Sequence, residues 1–262
     1  MKFVIYSDLH CEFSYFDMPE PDDPETVLIL LGDIFVGDRV LREGYLPKWA
    51  SMYKHVFFVL GNHDYYKNNI TYLVPKLRTK LTNTNVTILD NDVVMYENVQ
   101  LVGGTFWTNF NNGDPMASML AGMRMNDFRQ IRISPSYKKF SPRDAIVEHL
   151  KMKSTLDKVD FSIPTLVLTH HAPSSIFIDF DRYGSSADLN YAYYTNMESF
   201  ILEKQPLMWA AGHTHKRVED YLGDTLLYSN PRGYISNTFN EGVGDFQLNE
   251  VWEVKEGKLC KL

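Results

Sequence analysis

Short apolar runs recur along this chain: "FVIYS" (3–7), "TVLILL" (26–31), "HVFFVL" (55–60), "VQLVGG" (99–104), "PTLVLT" (164–169) and "PLMWAA" (206–211). Most are nearly continuous in hydrophobic residues. A strand turns successive side chains to opposite faces, so such runs are the pattern of strands buried on both sides. Helical patterns lie between several of them. Residues 66–81 place Ile70, Leu73, Val74, Leu77 and Leu81 on one stripe, with Pro75 expected to kink it. Ser141, Pro142 and Asp144 read as the N-cap, first position and third position of a helix whose stripe is Ile146, Leu150 and Leu156.

The last quarter differs. "KRVEDYLGDTLLYSNP" and "NEVWEVKEGKLCKL" alternate around Gly223-Asp224 and Glu256-Gly257, which reads as two hairpins. The order predicts an α/β or α+β layered sandwich. With 262 residues, 44% of them hydrophobic, and no internal repeat or linker, one domain over 1–262 is expected. The least regular stretch, about 106–140, is expected to be a functional cover.

Composition narrows the function. A net charge of −7 leaves no basic surplus to neutralise phosphates, which argues against an extended nucleic-acid partner or an anionic membrane. Cys11 and Cys260 are the only cysteines, so no disulfide framework is available and a reducing cytosol fits. The N-terminus lacks an export-type apolar stretch, and no apolar run is long enough to cross a bilayer. A cytoplasmic protein is expected.

The strand ends carry the chemistry. Successive runs are followed by Asp8-Leu9-His10, Gly32-Asp33, Gly61-Asn62-His63-Asp64, His170-His171 and Gly212-His213-Thr214-His215. Ligands gather beyond the carboxyl ends of strands, so these loops are expected to converge. Asp8 and His10 are two apart, as are His213 and His215, a spacing that lets an alternating extended backbone aim both members at one metal. His170 and His171 cannot point the same way while the strand continues. Carboxylate, imidazole and amide oxygen together suit Mn²⁺, Fe or Zn²⁺. Each short motif alone is a common turn; all five in order are not.

The order D-x-H, G-D, G-N-H-D, H, G-H-x-H resembles the calcineurin-like metallophosphoesterase superfamily, across residues 8 to 215. "MNDFRQI", "THHAPS" and "NPRGY" further resemble a bacterial and phage branch of it. The resemblance implies a β-sandwich flanked by helices and a metal-dependent phosphohydrolase of phosphate mono- or diesters. A hydroxide activated by two divalent ions, with Mn²⁺ favoured, would be the attacking group. It implies that Asp8, His10 and His215 hold one metal, that Asn62, His170 and His213 hold the other, and that Asp33 bridges. His170 is preferred over His171 because related sequences usually have one histidine at that strand end, followed by a small residue. His171 then faces away or touches substrate.

His63 is expected as the general acid on the leaving group, with Asp64 orienting its imidazole. Arg124, Arg129 and Arg232 are candidates to grip phosphate, with Trp107 and Phe110 to stack on a base, though a solvated surface helix is the alternative for that segment. The expected partner is a small phosphate ester or nucleotide. The rival readings are a nuclease of the same superfamily and a catalytically silent scaffold. The second is disfavoured because every ligand position and His63 is present.

Overall fold

A computed structural model of the chain describes residues 1–180, 187–236, 240–242 and 244–262. Among them, two six-stranded sheets and two short hairpins make up the strands. In the first sheet β1 (Lys2–Tyr6), β2 (Val27–Leu31), β3 (His55–Val59) and β4 (Val86–Leu89) run parallel. In the second, β5 (Asp92–Tyr96) lies antiparallel to β6 (Val99–Gly104). The small hairpin β7 (Arg132–Ile133) and β8 (Lys138–Lys139) comes next in the chain. The second sheet resumes with β9 (Thr165–Thr169) and β10 (Met208–Ala210), then the antiparallel β11 (Val218–Leu222) and the parallel β12 (Thr225–Ser229). After the hairpin of β13 (Gly233–Ile235) and β14 (Asn240–Gly242), β15 (Trp252–Lys255) and β16 (Lys258–Lys261) return to the edge of the first sheet.

Alternation along each strand explains the continuous apolar runs. Phe3, Ile5, Ile29, Leu31, Phe57 and Val59 meet Leu101, Leu166, Leu168, Met208 and Ala210 in the core between the sheets. Their neighbours Val4, Tyr6, Leu28, Leu30, Val56 and Phe58 face outward, beneath Leu46 and Trp49 of the helix Tyr45–Met52 and Leu73, Val74 and Leu77 of the helix Ile70–Leu81. On the far side Val102, Val167, Trp209 and Leu227 are covered by Met152, Leu156 and Ile201. Burying one such side chain contributes about 1.5–3 kcal/mol, so a polar residue anywhere in these runs loses a layer contact.

The helix Pro142–Leu156 has the expected start: the Ser141 hydroxyl accepts from the Asp144 N–H and the Asp144 carboxylate accepts from the Ser141 N–H. Its buried face differs from the expected stripe. Ala145, His149, Met152 and Leu156 are buried, while Leu150 is 56% exposed. The His149 Nδ1 lies 2.7 Å from the Trp107 carbonyl oxygen, and this bond selects the face. The other long helix starts at Ile70, where Asn69 caps it by accepting from the Thr71 N–H, and it continues through Pro75.

Residues 106–140 are more ordered than expected. A left-handed turn at Phe110–Gly113 and helices at Pro115–Arg124 and Asp127–Gln130 precede the β7–β8 hairpin, and Ala117, Ala121, Phe128 and Phe140 join the core with Ala145. Among the described residues no helix is long and apolar enough to cross a membrane.

Candidate metal centre

The parallel strands of both sheets deliver their loops to one edge, and main-chain bonds lace them together. The Asp8 and His10 N–H groups donate to the Gly32 and Asp33 carbonyls, and the Gly212 N–H donates to the His170 carbonyl. The His213 N–H crosses between sheets to the Asp8 carboxylate, 3.0 Å from Oδ1. The side chains are not aimed by an extended zigzag, as the spacing suggested. Asp8 (φ 52°), His10 (φ 45°), Asp33 (φ 56°), His213 (φ 68°) and His215 (φ 50°) are all left-handed. That region is uncommon for residues with a Cβ, costs of order 1–3 kcal/mol each, and persists where the surroundings over-determine it. Gly61 leaves the room required, since a Cβ there would lie 2.2 Å from Asp33 Oδ1.

Three overlapping clusters result, one of them His10, Asp33 and His63. Asp8, His10 and His215 bring one ligand atom each together, and so do Asp33, His170 and His213, in both cases within 4.8 Å of one another. The two histidines of G-H-x-H are thus divided between clusters. Asp33 stands between them, with Oδ2 3.8 Å from His10 Nε2 and Oδ1 3.4 Å from His170 Nε2. Asn62 joins the second cluster: its amide N–H donates to Asp127 Oδ1 at 2.8 Å, which turns Oδ1 inward to 2.9 Å from His170 Nε2.

The donor set fits divalent cations. The His170 Nδ1 faces the Leu31 carbonyl at 2.8 Å while its Nε2 faces the Asn62 oxygen. Burial pushes this imidazole down to about 4, so near neutral pH it has one proton for two acceptors. With that proton on Nδ1, the Nε2 lone pair points at an amide oxygen and a carboxylate, an arrangement that a cation between them would satisfy. His10 repeats the pattern. Its Nδ1 lies 3.0 Å from Glu12 Oε1, its Nε2 faces His215 Nε2 at 3.1 Å, and burial lowers it to about 4. His213 Nε2 is buried without a hydrogen-bond partner among the described residues. Burial, then the charges of Asp8 and Asp64, push the Asp33 carboxyl up, and a bound cation would reverse that crowding.

A family model described as calcineurin-like phosphoesterase matches residues 1–217. The chain belongs to that family. An uncharacterized protein of Acanthamoeba polyphaga mimivirus is 27% identical over 271 residues, 92% of this chain and 95% of that one. Among solved structures, the phosphopantetheinyl hydrolase of Mycobacterium tuberculosis has a TM-score of 0.67 at 17% identity, with 89% of each chain covered. The anchor in the inner membrane complex of Plasmodium has a TM-score of 0.53 at 14% identity, over 100% of this chain and 83% of that one. Both structures share the calcineurin-like layered fold.

Several residues of this phosphoesterase lie elsewhere than expected. Asp64 does not orient His63. Its Oδ2 accepts from the Asp33 and Gly61 N–H groups at 2.8 and 2.7 Å, and its Oδ1 from Ile34 and Phe35 at 3.2 and 3.1 Å. The carboxylate facing His63 is Glu12, which the motif reading passed over although it stands two residues after His10. Glu12 Oε1 lies 3.0 Å from His63 Nδ1. Against burial, hydrogen bonds from His10 and His63 hold the Glu12 carboxyl down at about 2. His63 Nε2 faces the Tyr234 hydroxyl at 3.2 Å.

The arginines are not gathered at the centre. Arg124 and Arg129 are exposed, and Arg129 donates to the Met123 carbonyl. Arg232 donates to the Leu9 carbonyl, the Ser14 hydroxyl and the Tyr15 carbonyl, closing the loop after β1. Trp107 and Phe110 are core residues, 4% and 2% exposed, with no face left for a base. His171 is buried against Trp107 and His213, with Nδ1 3.1 Å from the Thr105 carbonyl.

Proposed function

We propose that this calcineurin-like phosphoesterase acts as a single domain and hydrolyses small phosphate esters at a centre of two divalent cations. Asp8, His10 and His215 hold one, Asn62, His170 and His213 hold the other, and Asp33 is shared. The observation that carries this reading is the convergence of His170 Nε2, the Asn62 amide oxygen and the Asp33 carboxylate on one buried point, a donor set that a divalent cation satisfies. The mixed nitrogen and oxygen donors suit Mn²⁺, Fe or Zn²⁺. Two such ions, when bound, activate water and neutralise the phosphoryl oxygens during in-line attack. His63, at the rim of the centre, is positioned to give the Nε2 proton to the departing oxygen.

Elemental analysis of the purified protein, followed by assays with p-nitrophenyl phosphate and bis-p-nitrophenyl phosphate plus Mn²⁺, tests the proposal. About two metals per chain and turnover of at least one ester are expected. Asp33→Ala should lose more than one equivalent of metal together with activity. Retention of about two metals in Asp33→Ala would overturn the shared-ligand assignment. Metal without turnover of any phosphate ester would favour the silent scaffold.

A further inference from the structure

We propose that Glu12 is a positioning residue that couples the proton donor His63 to the metal-holding His10 through a single carboxylate oxygen. The inference rests on the phosphoesterase reading above. Glu12 Oε1 lies 3.0 Å from the Nδ1 of His10 and 3.0 Å from the Nδ1 of His63. The two rings pack edge to face, with centroids 4.7 Å apart and planes at 72°. Both Nδ1–H groups donate to the same oxygen. That leaves the His10 Nε2 directed at the Asp8–His215 cluster and the His63 Nε2 directed outward, toward the Tyr234 hydroxyl.

A carboxylate placed for stability alone would use both oxygens. Glu12 Oε2 is buried and has no hydrogen-bond partner among the described residues. An unsatisfied buried acceptor costs about 1–3 kcal/mol, so the placement is a poor structural choice. It is a sound functional one. The bond made by one ring nitrogen decides what the other does. Glu12 therefore holds His63 so that only Nε2 faces the leaving group. As the P–O bond breaks, its electron pair goes to the leaving oxygen and that oxygen takes the Nε2 proton of doubly protonated His63; the neutral ring keeps its Nδ1 proton, still donated to the Glu12 carboxylate, and solvent later restores the one on Nε2. Because the same oxygen steadies His10, displacement of the metal ligand displaces the proton donor.

Glu12→Gln keeps the side-chain volume but loses the charge and one acceptor position. Its kcat should fall roughly tenfold more for alkyl phosphate esters than for the p-nitrophenyl ester, because poor leaving groups depend on the proton. In a His63→Ala background the leaving-group-dependent part of the loss should disappear, leaving only a uniform loss through His10, and Glu12→Asp should recover part of the original loss. A loss that keeps its dependence on the leaving group in the His63→Ala background would show that Glu12 does not act through His63 and would overturn the proposal. A readout independent of turnover is the long-range proton–nitrogen spectrum of the histidine rings in the metal-free protein. Native His63 should keep its last proton on Nδ1 once Nε2 has released its own, and Glu12→Gln should shift that last proton toward Nε2. A native His63 protonated on Nε2 with Nδ1 bare overturns the coupling. Failure of the native enzyme to hydrolyse any ester would instead count against the phosphoesterase reading, and the ring spectra would still decide the role of Glu12.

Discussion

His170 Nε2 and Asn62 Oδ1 approach to 2.9 Å in the interior, although they come from different sheets and are 108 residues apart. His171, its chain neighbour, has its Nδ1 on the Thr105 carbonyl instead. His170→Ala should therefore lower metal content and activity together, whereas His171→Ala should retain the metal. Elemental analysis of the two variants checks this, and metal loss confined to His171→Ala would reverse the assignment.

Asp64 organises backbone rather than an imidazole, and its replacement should show it. Asn keeps one acceptor oxygen but turns its NH₂ toward two N–H donors. Asp64→Asn should cost roughly 3 kcal/mol or more, because two buried N–H donors lose their acceptor. Denaturant melts measure the loss. A variant with native stability and selectively reduced turnover would restore Asp64 as a partner of His63.

Arg232 should matter for the loop after β1, not for substrate affinity. Removing a half-buried guanidinium that serves three carbonyls and a hydroxyl should cost about 2–3 kcal/mol, a Tm lower by roughly 4–10 °C in a chain of this size. KM of Arg232→Ala, measured below its melting range, should stay within about twofold of native, since no uniform binding is removed. A large rise in KM at unchanged Tm would mean that the guanidinium contacts phosphate.

His149 makes stability pH-dependent away from the metal centre. Burial lowers its imidazole from 6.5 to about 4, although the Trp107 carbonyl favours the charged form. The folded protein therefore binds fewer protons than the unfolded chain between these values, and stability falls as pH drops from 6.5 toward 4. The full effect is about 3 kcal/mol. His149→Gln should reduce the dependence of Tm on pH over that window by one group's share, since His10 and His170 contribute to it as well in metal-free protein. An unchanged slope would show that His149 does not contribute to it.

The sequence by itself determined the layered fold and the edge where chemistry gathers. Apolar alternation is a local property, and a run such as "TVLILL" has no polar face, so its strand must lie between two layers wherever the chain goes. Asp8, Asp33, Asn62, His170 and His213 were legible for the same reason, since each follows such a strand directly. What tertiary structure alone decided were contacts between residues far apart in the chain. Glu12 meets His63 from 51 residues away, while Asp64, adjacent to His63, turns into the backbone of another loop. Arg232 meets Leu9 across 223 residues. The helix Pro142–Leu156 buries His149 rather than Leu150, because a carbonyl at Trp107 is waiting there. Side-chain direction on a turn or helix is set by the partner that satisfies it, and a one-dimensional pattern does not contain that partner.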